Sequence, residues 1–280
     1  MSAPFFSIIV HREEGNRELD GICAGFELKT WRKEQLVDHL ADYIPEFALT
    51  YSEQQSIEAK DIRRMIRNAA KYIYQSRKLA SRGEIGELLL HVIIREIYST
   101  IPAISKIYYK DGPNDTVKGF DAVHVVDKDD HLELWLGEVK FYKDISKAIS
   151  DVINEIFDHI GKDYLRNEFI AITNKIDDKW PHADKLKNLL DPNTSLDQVF
   201  DQACIPVLLT YDSDVIAKYD ESSDAYKNEI KTEFEDLFEK FKEKITDKVP
   251  LTVHLFLLPL KTKDELVSSF DEKLRKLQQI

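Results

Sequence analysis

Three side chains in the middle of the chain have the types and spacing to do chemistry: Asp121, Glu138 and Lys140. They lie in two apolar runs, Gly119-Phe120-Asp121-Ala122-Val123-His124-Val125-Val126 and Leu132-Glu133-Leu134-Trp135-Leu136-Gly137-Glu138-Val139-Lys140. Between the runs stands Asp127-Lys128-Asp129-Asp130-His131, a polar connection of the kind that closes a β-hairpin. With the tip between Asp129 and Asp130, equal steps outward place Asp121 opposite Glu138. Directly opposed residues on one face of an antiparallel pair have Cβ atoms roughly 4.5–5.5 Å apart, and like charges there repel. Two carboxylates so placed call for a cation between them. Strand alternation puts Leu132, Leu134, Leu136, Glu138 and Lys140 on one face, with Trp135, Gly137 and Val139 on the other. An apolar face that turns ionic at its last two positions breaks the core pattern, and such breaks gather at functional sites. Gly137, beside the acid, leaves room for another backbone or a ligand to come close. Taken singly, each of these charges also fits an ordinary solvated residue; the conjunction carries the reading.

A helix must lie upstream. The stretch Ser81-Arg82-Gly83-Glu84-Ile85-Gly86-Glu87-Leu88-Leu89-Leu90-His91 and onward to Ile97 has apolar residues at helical spacing. At about 100° per residue, Glu84, Glu87 and His91 share one narrow sector and offer a carboxylate face to the rest of the site. Wet acids on an amphipathic helix are the alternative, and His91 reads as a satisfied polar residue rather than a ligand. Gly83 and Gly86 each cost roughly 1 kcal/mol of helix propensity against Ala, which predicts close packing of this helix on the sheet.

The order helix-Glu, strand-Asp, Glu-x-Lys resembles the PD-(D/E)XK nuclease superfamily, although Gly119-Phe120-Asp121 lacks the proline that names it. More closely, the Gly-Glu-Ile-Gly-Glu start at residues 83–87, Gly119-Phe120-Asp121-Ala122 and Gly137-Glu138-Val139-Lys140-Phe141-Tyr142 resemble the HamA family, nuclease subunits of the two-protein Hachiman anti-phage system of bacteria. The resemblance implies a restriction-endonuclease-like core: a mixed β-sheet flanked by helices, with an N-terminal elaboration. It implies that Asp121, Glu138 and the main-chain carbonyl of Val139 hold Mg²⁺, for which Mn²⁺ can substitute, since hard oxygen ligands suit such ions. Glu87, and less directly Glu84, is then a further ligand, itself or through water, and Lys140 orients or helps deprotonate the attacking water. Metal ions lower the pKa of that water and neutralise charge developing at phosphorus. The implied partners are a HamB-like helicase and DNA; no phosphate-binding Gly-x-x-x-x-Gly-Lys-Ser/Thr loop occurs in this chain, so an ATP-driven step lies elsewhere.

Charge runs against a free nucleic-acid binder. With 39 Lys and Arg against 51 Asp and Glu, the 280-residue chain carries a formal charge of −12, which opposes a polyanion. The basic residues Lys60, Arg63, Arg64, Arg67, Lys71, Arg77, Lys78 and Arg82 cluster before the acidic helix. They form either a phosphate-contacting surface or a solvated helix face. Cys23 and Cys204, far apart and without metal-ligand neighbours, read as buried thiols of a reducing cytoplasm. No run approaches the roughly 18 apolar residues of a membrane span, and the N-terminus lacks a signal-peptide pattern.

The remaining pattern divides the chain into an N-terminal lobe or elaboration over 1–78 and a nuclease-like domain over 79–280. Strands are expected at 5–12, 169–173, 204–211 and 251–260, with an extended piece at 26–28. Pro206 suggests an edge position, or the first residues, for the third of these strands. Helices are expected at 32–41, 58–74, 84–98, 144–160, 184–190, 226–245 and 263–277. Two functions from different classes fit: a metal-dependent DNA nuclease controlled by its helicase, or a catalytically inactive nuclease fold that binds and regulates that partner. RNA remains a third possible substrate, because the metal chemistry ignores the 2′-hydroxyl unless a contact reads it.

Overall fold

A computed structural model describes residues 4–73, 83–105, 119–245 and 249–280. The first part holds strands β1 (Ser7–Glu14), β2 (Arg17–Cys23), β3 (Phe26–Glu27) and β4 (Thr30–Trp31) and helices α1 (Lys33–Ala48), α2 (Tyr51–Gln55) and α3 (Ile62–Ile73). The centre holds α4 (Glu84–Tyr98), β5 (Ile101–Ser105), β6 (Ala122–Asp127), β7 (Leu132–Phe141), α5 (Ile145–His159), α6 (Lys162–Lys175), α7 (Ala183–Leu189) and α8 (Leu196–Phe200). The last part holds β8 (Ala203–Asp212), α9 (Asp214–Lys218), α10 (Asp224–Lys244), β9 (Thr252–Leu260) and α11 (Lys263–Leu277).

Seven strands form one mixed sheet in the order β1-β2-β9-β8-β7-β6-β5. The β2/β9, β9/β8 and β8/β7 pairs are parallel, and the outer pairs are antiparallel. The expected mixed α/β sheet flanked by helices is the architecture found. Strands β7, β8 and β9 are buried almost throughout, which is why they read as continuous apolar runs: helices cover both faces. The expected boundary near residue 78, with Arg77, Lys78 and Arg82, lies outside the described residues. From the N-terminal segment, β1 and β2 complete the same sheet through the β2/β9 pairing.

Two glycines fix how α4 sits. A Cβ at Gly86 would stand 2.7 Å from Val139 Cγ1 and 2.8 Å from Phe141 Cβ, so only glycine lets the helix lie this close to β7. At Gly137 the intruder is Leu90 Cδ2, 2.6 Å from the would-be Cβ. The space at Gly137 is therefore taken by a side chain of α4, with Ala122 also close. Gly83, which precedes α4, has only Glu87 Oε1 within reach, at 3.7 Å, so close packing does not explain it. Because side chains alternate along β7, α4 covers the Gly137–Val139–Phe141 face, and Glu138 and Lys140 project from the opposite one.

Several expectations need correction. Residues 169–173 belong to α6, where Leu165, Phe169 and Ile172 are buried while Ile170 is exposed. That spacing is one face of a helix, hidden in the sequence by a short β-branched run. Pro206 sits in a central strand between β7 and β9. The β7 pairing lapses between Trp135↔Cys204 and Glu138↔Val207, the span containing the proline that has no N–H to give. Helix α1 continues to Ala48 through Pro45. Strands β2 and β5 escape the pattern altogether.

Candidate metal centre

The hairpin folds as its sequence predicts. Pairs run from Asp127↔Leu132 to Ala122↔Gly137, the register that a tip between Asp129 and Asp130 requires. Asp129 takes the left-handed conformation (φ 65°), and the Lys128 N–H closes the turn on the His131 carbonyl at 3.0 Å. Regular pairing stops one residue short of the acid. The Asp121 N–H donates to the Gly137 carbonyl at 2.8 Å, and Asp121 Oδ2 accepts the Val139 N–H at 2.8 Å. Its carboxylate is thus fastened to the backbone between Glu138 and Lys140, on the same side as both.

All three side chains are nearly enclosed: Glu138 is 1 % exposed, Asp121 and Lys140 8 % each. Burial pushes the Glu138 carboxyl up to about 7; the Asp121 and Glu155 carboxylates push the same way, and a hydrogen bond with His159 opposes them. That bond joins His159 Nδ1 to Glu138 Oε1. Burial works against a charge on His159, but the Glu138 carboxylate outweighs it and holds the imidazole above its ordinary value. Lys140 Nζ donates to Glu155 Oε2. His159 stacks on Tyr164 (centroids 4.3 Å apart, planes at 13°) and meets the edge of Phe120 at 5.2 Å. Behind them the Glu168 carboxylate lies where a Cβ on Gly119 would fall, 2.5 Å from Oε1.

The structure therefore brings Asp121, Glu138 and Lys140 into one pocket of charge. Glu84 and Glu87 sit in the first turn of α4, the helix on the other face of β7, and Glu87 is buried there. His91 is held at its Nδ1 by His124 Nε2 at 3.1 Å, with Glu46 Oε1 3.1 Å from its Nε2. The Glu46 contact lacks hydrogen-bond geometry, so His91 is satisfied at one ring nitrogen and not at the other. Among the described residues no three or more His, Cys, Asp and Glu side chains gather as a metal-binding group. What the fold gathers is a carboxylate pair, and Mg²⁺ commonly takes one or two protein carboxylates and completes its shell with water. The donor set fits: hard oxygens, buried, with mutual repulsion that a cation relieves. Sequence reasoning missed Glu155 and His159; their four-residue spacing on an amphipathic helix directly after the Lys140 strand was the available signal.

Of the basic cluster, Lys60, Arg63, Arg64 and Lys71 are exposed and Arg67 is half-buried. Helix α3 carries Arg63, Arg64, Arg67 and Lys71 and no acid. Arg64 pairs with Asp61 at 2.7 Å, Lys60 with Glu58 at 2.6 Å, and Arg67 donates to the Ile280 carbonyl at 3.1 Å. Both cysteines are buried and unbridged. No described helix is long and apolar enough to cross a membrane.

Fold and site define an α/β protein with a buried acid pair and a lysine at the end of a hairpin in a mixed sheet. The chain belongs to the HamA family of anti-phage defence proteins, whose family model matches residues 3–274. It is also 22% identical over 260 residues to anti-bacteriophage protein A of Escherichia coli strain K12, an alignment covering 90% of this chain and 47% of that protein. The chain thus spans about half the length of that curated relative.

Proposed function

We propose that this chain is a Mg²⁺-dependent deoxyribonuclease with a PD-(D/E)XK-like core, Mn²⁺ serving in place of Mg²⁺, and that it is the cutting subunit of a cytoplasmic anti-phage system. One observation carries the reading: Asp121 and Glu138 are buried side by side, with the Glu138 carboxyl driven up to about 7. Two enclosed carboxylates cost stability unless a cation joins them. The Asp, Glu, Lys order and membership of a defence family support the same conclusion.

The residues divide the work. Asp121 and Glu138, with the Val139 carbonyl, would hold the ion; Glu87 and Glu84, in the first turn of the helix on the other face of β7, lie apart from that pair. The bound ion acidifies water and offsets charge on the scissile phosphate. Asp121 is kept in place by the Val139 N–H, so the pair is preorganised rather than assembled around substrate. Lys140 is two residues from Glu138 on the same face; from there its ammonium orients the attacking water and meets the phosphate. No covalent intermediate is required. A net charge of −12 makes unaided capture of DNA weak, which fits delivery by a HamB-like helicase that also controls cutting.

The test is cleavage of plasmid DNA by the chain with its helicase partner, in Mg²⁺ and in chelator. Glu138→Ala and Lys140→Ala are each expected to lower cleavage by roughly 10²-fold or more, the scale of losing a group that acts on the transition state. Equal DNA loss by parent and variants would assign cutting to another source and leave the chain a scaffold for its partner.

A further inference from the structure

Helix α5 holds both charged heads of the site. The Glu138 carboxylate is taken by His159 and the Lys140 ammonium by Glu155. The match is geometric. Residues two apart on a strand are about 6.6–6.8 Å apart along it, and residues four apart on a helix rise about 6 Å. Because α5 turns back after β7, the later helix residue meets the earlier strand residue: 159 faces 138, and 155 faces 140. His159 is the last residue of α5, where the helix dipole favours a cation. It lies between Phe120 and Tyr164, the second of them on the next helix.

We propose that Glu155 and His159 form a latch that holds the site in a resting arrangement, with the imidazole standing where a divalent cation must bind and Lys140 drawn away from the phosphate position. This rests on the reading of Asp121 and Glu138 as the metal pair. The argument is one of occupancy. Nδ1 of His159 is hydrogen-bonded to Glu138 Oε1, and a nitrogen holding that oxygen competes with a metal ion for its lone pairs. Loading through that oxygen therefore means displacing His159, and the metal affinity of the resting protein is lowered by the strength of that contact. Once Glu138 is neutralised by metal, His159 loses its anion. Lys140 can then exchange Glu155, which is 43% exposed at its side chain, for the substrate phosphate.

The experiment is Mn²⁺ binding to the full chain at one fixed pH, followed by the electron-spin signal of free Mn²⁺ and by calorimetry. His159→Phe keeps the ring between Phe120 and Tyr164 and removes only the nitrogen. Mn²⁺ is expected to bind this variant roughly tenfold more tightly, the equivalent of about 1.4 kcal/mol. Glu155→Gln frees Lys140 and acts on Glu138 only through space, so it should not tighten Mn²⁺ binding; a gain equal to that of His159→Phe would overturn the assignment of the block to His159. His159→Gln serves as a second variant if the first fails to give a folded protein. Weaker binding by the His159 variants makes histidine a ligand and overturns the latch, as does unchanged binding. If neither parent nor variants bind Mn²⁺, while Asp121→Asn and Glu138→Gln change nothing, the metal reading itself falls and takes the latch with it.

Discussion

Glu138 makes the stability of the metal-free protein depend on pH. Its carboxyl stands at about 7 instead of the ordinary 4.5, burial being the main cause. Around it stand Asp121, just before β6, Glu155 and His159 from α5, and Lys140 two residues along β7. An acid whose folded value is raised binds more protons when folded than when unfolded, so its contribution is intact below about 4.5 and is lost as pH climbs through 7. At 1.36 kcal/mol per unit, a shift of about 2.5 units amounts to roughly 3 kcal/mol. His159, also raised, adds loss in the same direction as pH passes its own folded value. Glu138→Gln removes the titrating acid and retains an oxygen for His159. In thermal melts with chelator, the variant should gain on the parent by roughly 4–8 °C between pH 5.5 and 8, where about 2 kcal/mol of that contribution is lost, taking about 2–4 °C per kcal/mol for a chain of this size. Saturating Mg²⁺ at pH 8 should close the gap from the parent's side, because ligand that binds only the folded state stabilises it. Parallel melting curves for parent and variant across that range would refute the assigned environment of Glu138.

Other outcomes follow from packing and charge. Gly86→Ala should destabilise by about 1–3 kcal/mol in urea unfolding, the cost of overpacking against Val139 and Phe141, although helix propensity alone predicts a gain of roughly 1 kcal/mol. Asp20, buried between His254 Nε2 at 3.0 Å and His11 Nδ1 at 2.8 Å, should cost about 3–5 kcal/mol when changed to Ala, read by the same method. His254 is lowered by burial but raised further by Asp20 and Glu18; its contribution is full below about 6.5 and lost as pH rises through its folded value, so His254→Gln should flatten the alkaline limb of a stability–pH profile. Ile170→Lys should leave the melting temperature within about 2 °C, whereas Phe169→Lys should abolish cooperative unfolding, since only the second lies on the buried face of α6.

Much of this was legible in the sequence, and the parts that were not have physical reasons. Periodicity located α4 and α11 with their observed limits, and turn chemistry fixed the hairpin register that sets Asp121 beside Glu138. Residues 169–173 misled because β-branched residues in a short run fit a strand and a buried helix face equally. Strand β2 escaped because Arg17-Glu18-Leu19-Asp20-Gly21 carries charges that are paid for only by tertiary partners: Asp20 by His11, Tyr98 and His254, Arg17 by the Leu251 carbonyl. Pro206 pointed to an edge or to a strand's first residues, but the interior of the sheet accommodates it by omitting one stretch of pairing. The four-residue spacing of Glu155 and His159 marks one helix face, but their role in the site depends on α5 folding back over β7. A residue's place on a helix can be read from spacing, but not the strand it will meet.

The central claim is that Asp121 and Glu138 together hold a divalent cation. Crystals of the protein soaked in Mn²⁺ and measured at the manganese absorption edge test it directly. An anomalous peak between the two carboxylates, about 2.1 Å from an oxygen of each, with His159 withdrawn from Glu138, is the predicted result. A peak elsewhere, or none there at saturating Mn²⁺ with the carboxylates still facing each other, would contradict it.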